Sequence, residues 1–183
     1  MIAGADARPD FQLQALSDIT VRLPFTTACH MATARQGIKV ALQRRAWLGA
    51  LEHVSSHRVE AGGLLVGRVY ESSKGLLISE IENAVPARVF DGTGTSLQMS
   101  ADVWETARRE APPGSCTVGW YHSHPNLGAF FSGTDRRTQA RFFSNAYSVG
   151  LVIDPVRHES AWFAGASSVE LGQPDVFMLG EEN

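Results

Sequence analysis

Apolar and polar positions change period several times along this chain, and each change marks an element. Between Arg44 and Ser56, Trp47, Leu48, Leu51 and Val54 recur at helical spacing and predict an amphipathic helix. Gly63 to Tyr70 and Leu76 to Asn83 are apolar runs joined by Ser72-Ser73-Lys74-Gly75, which predicts a hairpin. Ile19 to Phe25, Ile38 to Leu42 and Leu97 to Met99 read as shorter strands. Ser100 is expected to N-cap a helix through Ala111, with Val103, Trp104, Ala107 and Ala111 facing inward, and Pro112-Pro113-Gly114 stops it. Thr117 to His124 predicts a strand and Thr134 to Phe143 a helix. Ser148 to Ile153 predicts a buried strand that turns at Asp154-Pro155. Ser160 to Ala164 and Val169 to Met178 complete the sheet or its edge. Strands and helices alternate around one mixed sheet. The expected class is therefore α/β (α+β): a single three-layer domain over 19–183, its sheet mainly antiparallel and flanked by helices. Residues 1–18 contain proline and read as a loose tail.

Composition narrows the function classes. The 183 residues are 44% hydrophobic, enough for one well-buried domain. Net charge is −3 and no basic stripe stands out, so no nucleic-acid partner is expected. Arg136, Arg137 and Arg141 cluster on one helix, where a solvated face is the ordinary reading. The two cysteines, Cys29 and Cys116, supply neither a disulfide framework nor a paired metal spacing, and Cys116 reads as a small buried residue. No apolar run approaches the ~18 residues of a membrane span, and the start lacks a signal-peptide pattern. These features lead to the expectation of a cytoplasmic protein with no membrane partner. His53 and His57 fall at a helix end, where satisfying terminal carbonyls accounts for them, and His158 falls in a surface turn.

The chemistry concentrates in Gly119-Trp120-Tyr121-His122-Ser123-His124-Pro125, followed by Ser132 and Asp135. Histidines at i and i+2 share one face of a strand. A carboxylate from the next element completes three ligands and leaves a fourth tetrahedral position open, the pattern of a catalytic zinc site. Ser132 and Asp135 also look like a capping box that opens the following helix, and a helix start would hold the aspartate rigidly. Gly128 and Gly133 let the intervening loop fold back, and Phe130 and Phe131 are expected to pin it to the core.

His-Ser-His, seven residues, Ser, two residues, Asp resembles the JAMM motif of the JAB1/MPN/Mov34 metalloprotease family. The resemblance covers about residues 36–165 and implies the JAB/MPN fold. It implies one Zn²⁺ per chain, held by His122, His124 and Asp135. The family also requires an upstream glutamate, and Val59-Glu60-Ala61-Gly62-Gly63-Leu64-Leu65-Val66-Gly67 is similar to that segment. On charge alone Glu52, Glu71, Glu80 and Glu82 are equally eligible; the spacing to Gly62-Gly63 and the distant His-Ser-His select Glu60. Glu60 then carries the proton from water to the leaving amine, and the Ser132 hydroxyl donates to the developing oxyanion.

The family's typical reaction is cleavage of the peptide or isopeptide bond after the C-terminal tail of a ubiquitin-like protein, in deconjugation or precursor processing. A substrate channel is expected beside Gly62, Gly63, Asp91 and Gly92, with the Pro86 to Thr95 loop as its wall. Little length is spare after Asp135, unlike the eukaryotic deubiquitinases. The layout looks more like compact bacterial JAB-domain proteins of antiphage operons, whose partners include E1-like and E2-like proteins. Three other readings stay open: a non-catalytic MPN scaffold, a RadC-like DNA-associated domain, and a peptidase acting on a sulfur-carrier adduct.

Overall fold

The structure is a computed structural model that describes residues 13–20, 22–23, 27, 37–87 and 101–179. Its elements in chain order are β1 (Gln14–Ala15), α1 (Ser17–Thr20), β2 (Gly37–Leu42), α2 (Arg44–Ser55), β3 (Gly62–Glu71), β4 (Leu76–Pro86), α3 (Ala101–Glu110), β5 (Cys116–Ser123), α4 (Gly133–Phe142), β6 (Val149–Asp154), β7 (Glu159–Ala164), β8 (Val169–Leu171) and β9 (Val176–Met178). The sheet order is β8-β7-β6-β5-β3-β4-β2-β9, with β1 beside the far end of β3. Its antiparallel ladders, β3–β4, β3–β5, β6–β7 and β7–β8, carry most of the paired residues.

Side-chain alternation along the central strands builds two cores, one on each sheet face. Leu65, Val69, Ile81, Tyr121 and Leu151 pack against Ala46, Ala50 and Val54 of α2. Leu64, Val66, Trp120 and Val152 pack on the opposite face with Val103, Ala107, Phe131 and Phe143. The result is the expected three-layer arrangement. The β3–β5 register shifts between Leu65 and Val66, opposite Gly119 and Thr117, leaving Val118 as the extra residue of a bulge. Downstream of that bulge, Trp120 and His122 share the α3/α4 face while Tyr121 faces α2. The β5–α4–β6 unit is a parallel crossover, so the C-terminal end of β5 opens toward the start of α4.

Several expectations change in detail. Leu48 is 48% exposed; the buried stripe of α2 runs through Ala46, Ala50 and Val54, with Trp47 and Leu51 at its margin. The strand expected from Ile19 is a helical turn. Ile19 and Thr20 donate to the Leu16 carbonyl, and Arg22 and Leu23 donate to Ile19 and Thr20. That winding buries Ile19 and Leu23 together, four residues apart, which alternation would also do but with fewer local bonds. Within the segment read as a tail, Gln14–Ala15 pairs with Tyr70–Glu71. Val169 to Met178 divides between opposite edges: β8 pairs with β7, and β9 pairs with β2. Gly172-Gln173-Pro174-Asp175 makes the break, with a short 3₁₀ turn over Gln173–Asp175. Phe25, Cys29, Leu97 to Met99 and Ser100 lie outside the described residues.

Candidate metal centre

His122 is the penultimate residue of β5, and His124 follows the strand's end, where its N–H still donates to the Ile153 carbonyl of β6. Both side chains are buried and converge: their Nε2 atoms lie 3.1 Å apart. Asp135 reaches them from the first turn of α4, its Oδ1 3.3 Å from His122 Nε2 and its Oδ2 3.6 Å from His124 Nε2. Among the described residues this is the one group of three whose ligand atoms all fall within 4.8 Å of one another. A tetrahedral site with bonds of about 2.0–2.1 Å has ligand-to-ligand edges of about 3.3 Å, which the closest separations match. The donor set, two imidazoles and a carboxylate, fits zinc.

The capping box and the ligand geometry coexist because Asp135 has two oxygens. Oδ2 accepts the Ser132 backbone N–H at 2.6 Å, while Ser132 Oγ accepts the Asp135 N–H at 3.3 Å. Oδ1 remains aimed at His122. Burial pushes the Asp135 carboxyl up, but His122 and the Ser132 bonds outweigh it and bring it to about 2. Burial lowers the His124 pKa, helped by the neighbouring His122 and opposed by Asp135 and Glu60. A neutral imidazole and an ionised carboxylate are the forms a metal binds.

Glu60 sits just before β3 with its Oε1 3.9 Å from His124 Nε2 and its side chain 43% exposed, on the open side of the cluster. The other acidic residues are engaged elsewhere or exposed. Glu80 is buried against Arg22, Tyr70 and Gln43, and Glu82 pairs with Arg68. Glu52 and Glu71 are exposed. The structure therefore brings together Glu60, His122, His124, Ser132 and Asp135. Gly62 and Gly63 are buried between β4 and β5: a Cβ would strike the Tyr121 carbonyl at Gly62 and the Val85 carbonyl at Gly63. The close approach that glycine permits there is made by the neighbouring strands. Asp91, Gly92 and the expected channel wall from 88 to 95 lie outside the described residues.

The supporting shell was largely unmarked in the sequence. The His122 ring stacks on Trp120 at 4.6 Å and 6°. Trp120 Nε1 donates to Gln139 Oε1 at 2.6 Å, and Gln139 Nε2 donates to the carbonyls of Phe143 and Ser148. Gln139 lies one turn beyond Asp135 on α4, so the helix that carries Asp135 also steadies the strand that carries His122. Among the described residues His122 Nδ1 has no hydrogen-bond partner, so stacking holds its ring. After His124, buried Asp154 gathers the backbone N–H groups of Asn126, Gly128, Val156 and Arg157. Phe131 pins the loop by stacking on Phe163 at 4.0 Å. Phe130 does not enter the core; it is 47% exposed and lies against the His124 ring. His53 and His57 act at the end of α2, where His53 meets the Tyr121 hydroxyl and His57 the His53 carbonyl.

A family model describing prokaryotic homologues of the JAB domain matches residues 42–164. The chain is 37% identical over 112 residues to NAD(+) hydrolase TcpA of Theionarchaea archaeon (strain DG-70-1), a match covering 58% of this chain and 32% of that protein. It is 34% identical over 116 residues to COP9 signalosome complex subunit 5 of Drosophila melanogaster, covering 58% and 33%. It is 32% identical over 95 residues to ubiquitin carboxyl-terminal hydrolase RPN11 of Saccharomyces cerevisiae, covering 45% and 31%. The chain spans about a third of the length of these relatives. In fold it is similar to the solution structure of a Desulfitobacterium hafniense protein, with TM-score 0.56 and 22% identity over 78% of this chain and 94% of that one. The family match takes in about two-thirds of the chain, from the end of β2 to the end of β7, with the whole metal cluster and Glu60 inside it. The chain belongs to the prokaryotic branch of the JAB-domain family.

Proposed function

We propose that this protein is a zinc-dependent hydrolase that cuts the peptide or isopeptide bond after the C-terminal tail of a ubiquitin-like protein. The observation that carries the reading is the convergence of His122, His124 and Asp135 with a half-exposed carboxylate, Glu60, beside them. When bound, zinc supplies a Lewis acid for the scissile carbonyl and makes a water acidic near neutral pH. His122, His124 and Asp135 would hold the metal. Glu60, at the open side, takes the proton from the attacking water and hands it to the leaving amine. Ser132 Oγ accepts the Asp135 N–H through a lone pair and keeps its own proton to donate to the oxyanion. The name of the yeast relative, a ubiquitin carboxyl-terminal hydrolase, supports the substrate class. The pathway that fits is a cytoplasmic conjugation system with E1-like and E2-like partners, of the kind found in antiphage operons.

The test offers ubiquitin-like proteins ending in Gly-Gly, fused to a C-terminal reporter, to native protein, chelated protein and Glu60→Ala. Metal-dependent cleavage that Glu60→Ala cuts to a small but measurable residual rate while retaining zinc is expected. Undiminished turnover in Glu60→Ala removes Glu60 from the chemistry. Cleavage that survives complete chelation removes the metal.

A further inference from the structure

We propose that Ser123, the residue between the two histidines, is a positioning residue that sets where Glu60 stands relative to the metal ligands. The inference rests on the reading of Glu60 as the proton carrier. Period-two alternation turns the Ser123 side chain away from His122 and His124, so it is not a ligand. It is fully buried, and its bonds go to one residue, Ala61. Ser123 N donates to the Ala61 carbonyl at 2.8 Å, the Ala61 N–H donates to Ser123 Oγ at 3.0 Å, and the Ser123 hydroxyl lies 3.3 Å from the same carbonyl. The β3–β5 ladder ends at Gly62 opposite His122. The serine side chain therefore supplies the acceptor that the last buried N–H of the glutamate segment needs.

Glu60 depends on this clamp because its other side is open. Val59 is 58% exposed, and residues 57–61 form no helix or strand. The backbone of Glu60 is thus held from its C-terminal side, through Ala61, by the strand that presents both imidazoles. One side chain couples the base segment to the ligand strand, while the ligands have independent supports in Trp120, Ile153 and the α4 capping box. Loss of the hydroxyl should move Glu60 and leave the three ligands in place.

The experiment uses zinc-loaded full-length protein as wild type, Ser123→Ala, Ser123→Thr, Glu60→Ala and the Ser123→Ala/Glu60→Ala double variant. Amide exchange at Ala61 should quicken by about tenfold in Ser123→Ala, as expected for one lost buried bond, and recover in Ser123→Thr. Crystal structures should show the Glu60 carboxylate displaced from His124 with His122, His124 and Asp135 unmoved, and zinc content should be unchanged. With ubiquitin fused at its C-terminus to a fluorogenic amine, kcat should fall by about 10²-fold at unaltered KM, the size of effect a 1 Å misplacement produces. In the Glu60→Ala background the Ser123→Ala change should have no further effect on kcat. If Ser123→Ala does not fold, Ser123→Cys, similar in size and a weaker acceptor, should show the same changes in smaller measure. Unchanged Ala61 exchange, an unmoved Glu60 in the crystal, or an equal loss in the Glu60→Ala background would each overturn the proposal. If Glu60 moves in Ser123→Ala but Glu60→Ala hydrolyses the probe at the wild-type rate, the positioning stands and the assignment of Glu60 as base fails.

Discussion

Gln139 offers the sharpest test of how the metal centre is supported. It is fully buried in α4 and satisfied at both ends: its Oε1 takes the Trp120 indole N–H at 2.6 Å, and its Nε2 donates to Phe143 O at 3.1 Å and Ser148 O at 3.4 Å. Gln139→Leu keeps roughly the same volume and removes all three bonds. The indole N–H is then orphaned beneath Phe131 and Phe143 with no route to water. An orphaned buried donor costs about 1–3 kcal/mol; the two carbonyls, each with a second lone pair and one held at the longer distance, add about 1–2 kcal/mol together. Burying leucine in place of an amide returns about 1 kcal/mol. The net expectation is a loss of about 1–4 kcal/mol, or about 2–16 °C in Tm for a chain of this length. Urea unfolding of metal-free protein reads the stability, and zinc titration of the folded variant reads the site. Zinc affinity should fall as well, because Trp120 is the stacking partner of His122. A loss below about 1 kcal/mol with zinc affinity intact would show that the indole bond neither stabilises the core nor steadies the ligand.

Two further perturbations have definite outcomes. Burial pushes the Asp154 carboxyl up, but the N–H groups of Gly128, Arg157, Asn126 and Val156 outweigh it and bring it to about 2. A carboxyl depressed from an unfolded value of about 3.9 stabilises the fold above that pH and loses its contribution as pH falls toward about 2. The difference in urea midpoint between wild type and Asp154→Asn should therefore be full at pH 5 and shrink through that window; a constant difference would refute the role. Gly62→Ala places a methyl against the Tyr121 carbonyl and the His122 backbone, so it should destabilise by about 1–3 kcal/mol and weaken zinc binding. A neutral Gly62→Ala in both measurements would show that the strands part without cost.

The elements that carry long periodic patterns were legible in the sequence. The α2, α3 and α4 helices, the β3–β4 hairpin and the β5 strand stand within one to three residues of their expected bounds. The convergence of His122, His124 and Asp135 was legible because their spacing couples strand period, turn and helix start in one short segment. Glu60 needed the family pattern, since an exposed carboxylate before a strand has no local signature. Long-range placement was not legible: the split of Val169 to Met178 between opposite edges depends on which strand each half meets, not on its own pattern. The supporting residues were hidden for the same reason. Gln139 reads as one polar position on a polar helix, and only the indole facing it makes it structural. Ser123 looks like a spacer between two histidines, and its two bonds to Ala61 cross 62 residues of chain.

Metal content reports most directly on the central assignment. Protein purified without chelator and dialysed against metal-free buffer should retain one zinc per chain by elemental analysis, and Asp135→Ala, folded by circular dichroism, should retain none. A wild-type protein that takes up no zinc when zinc is supplied, or an Asp135→Ala variant that holds it undiminished, would contradict the metal centre described for His122, His124 and Asp135.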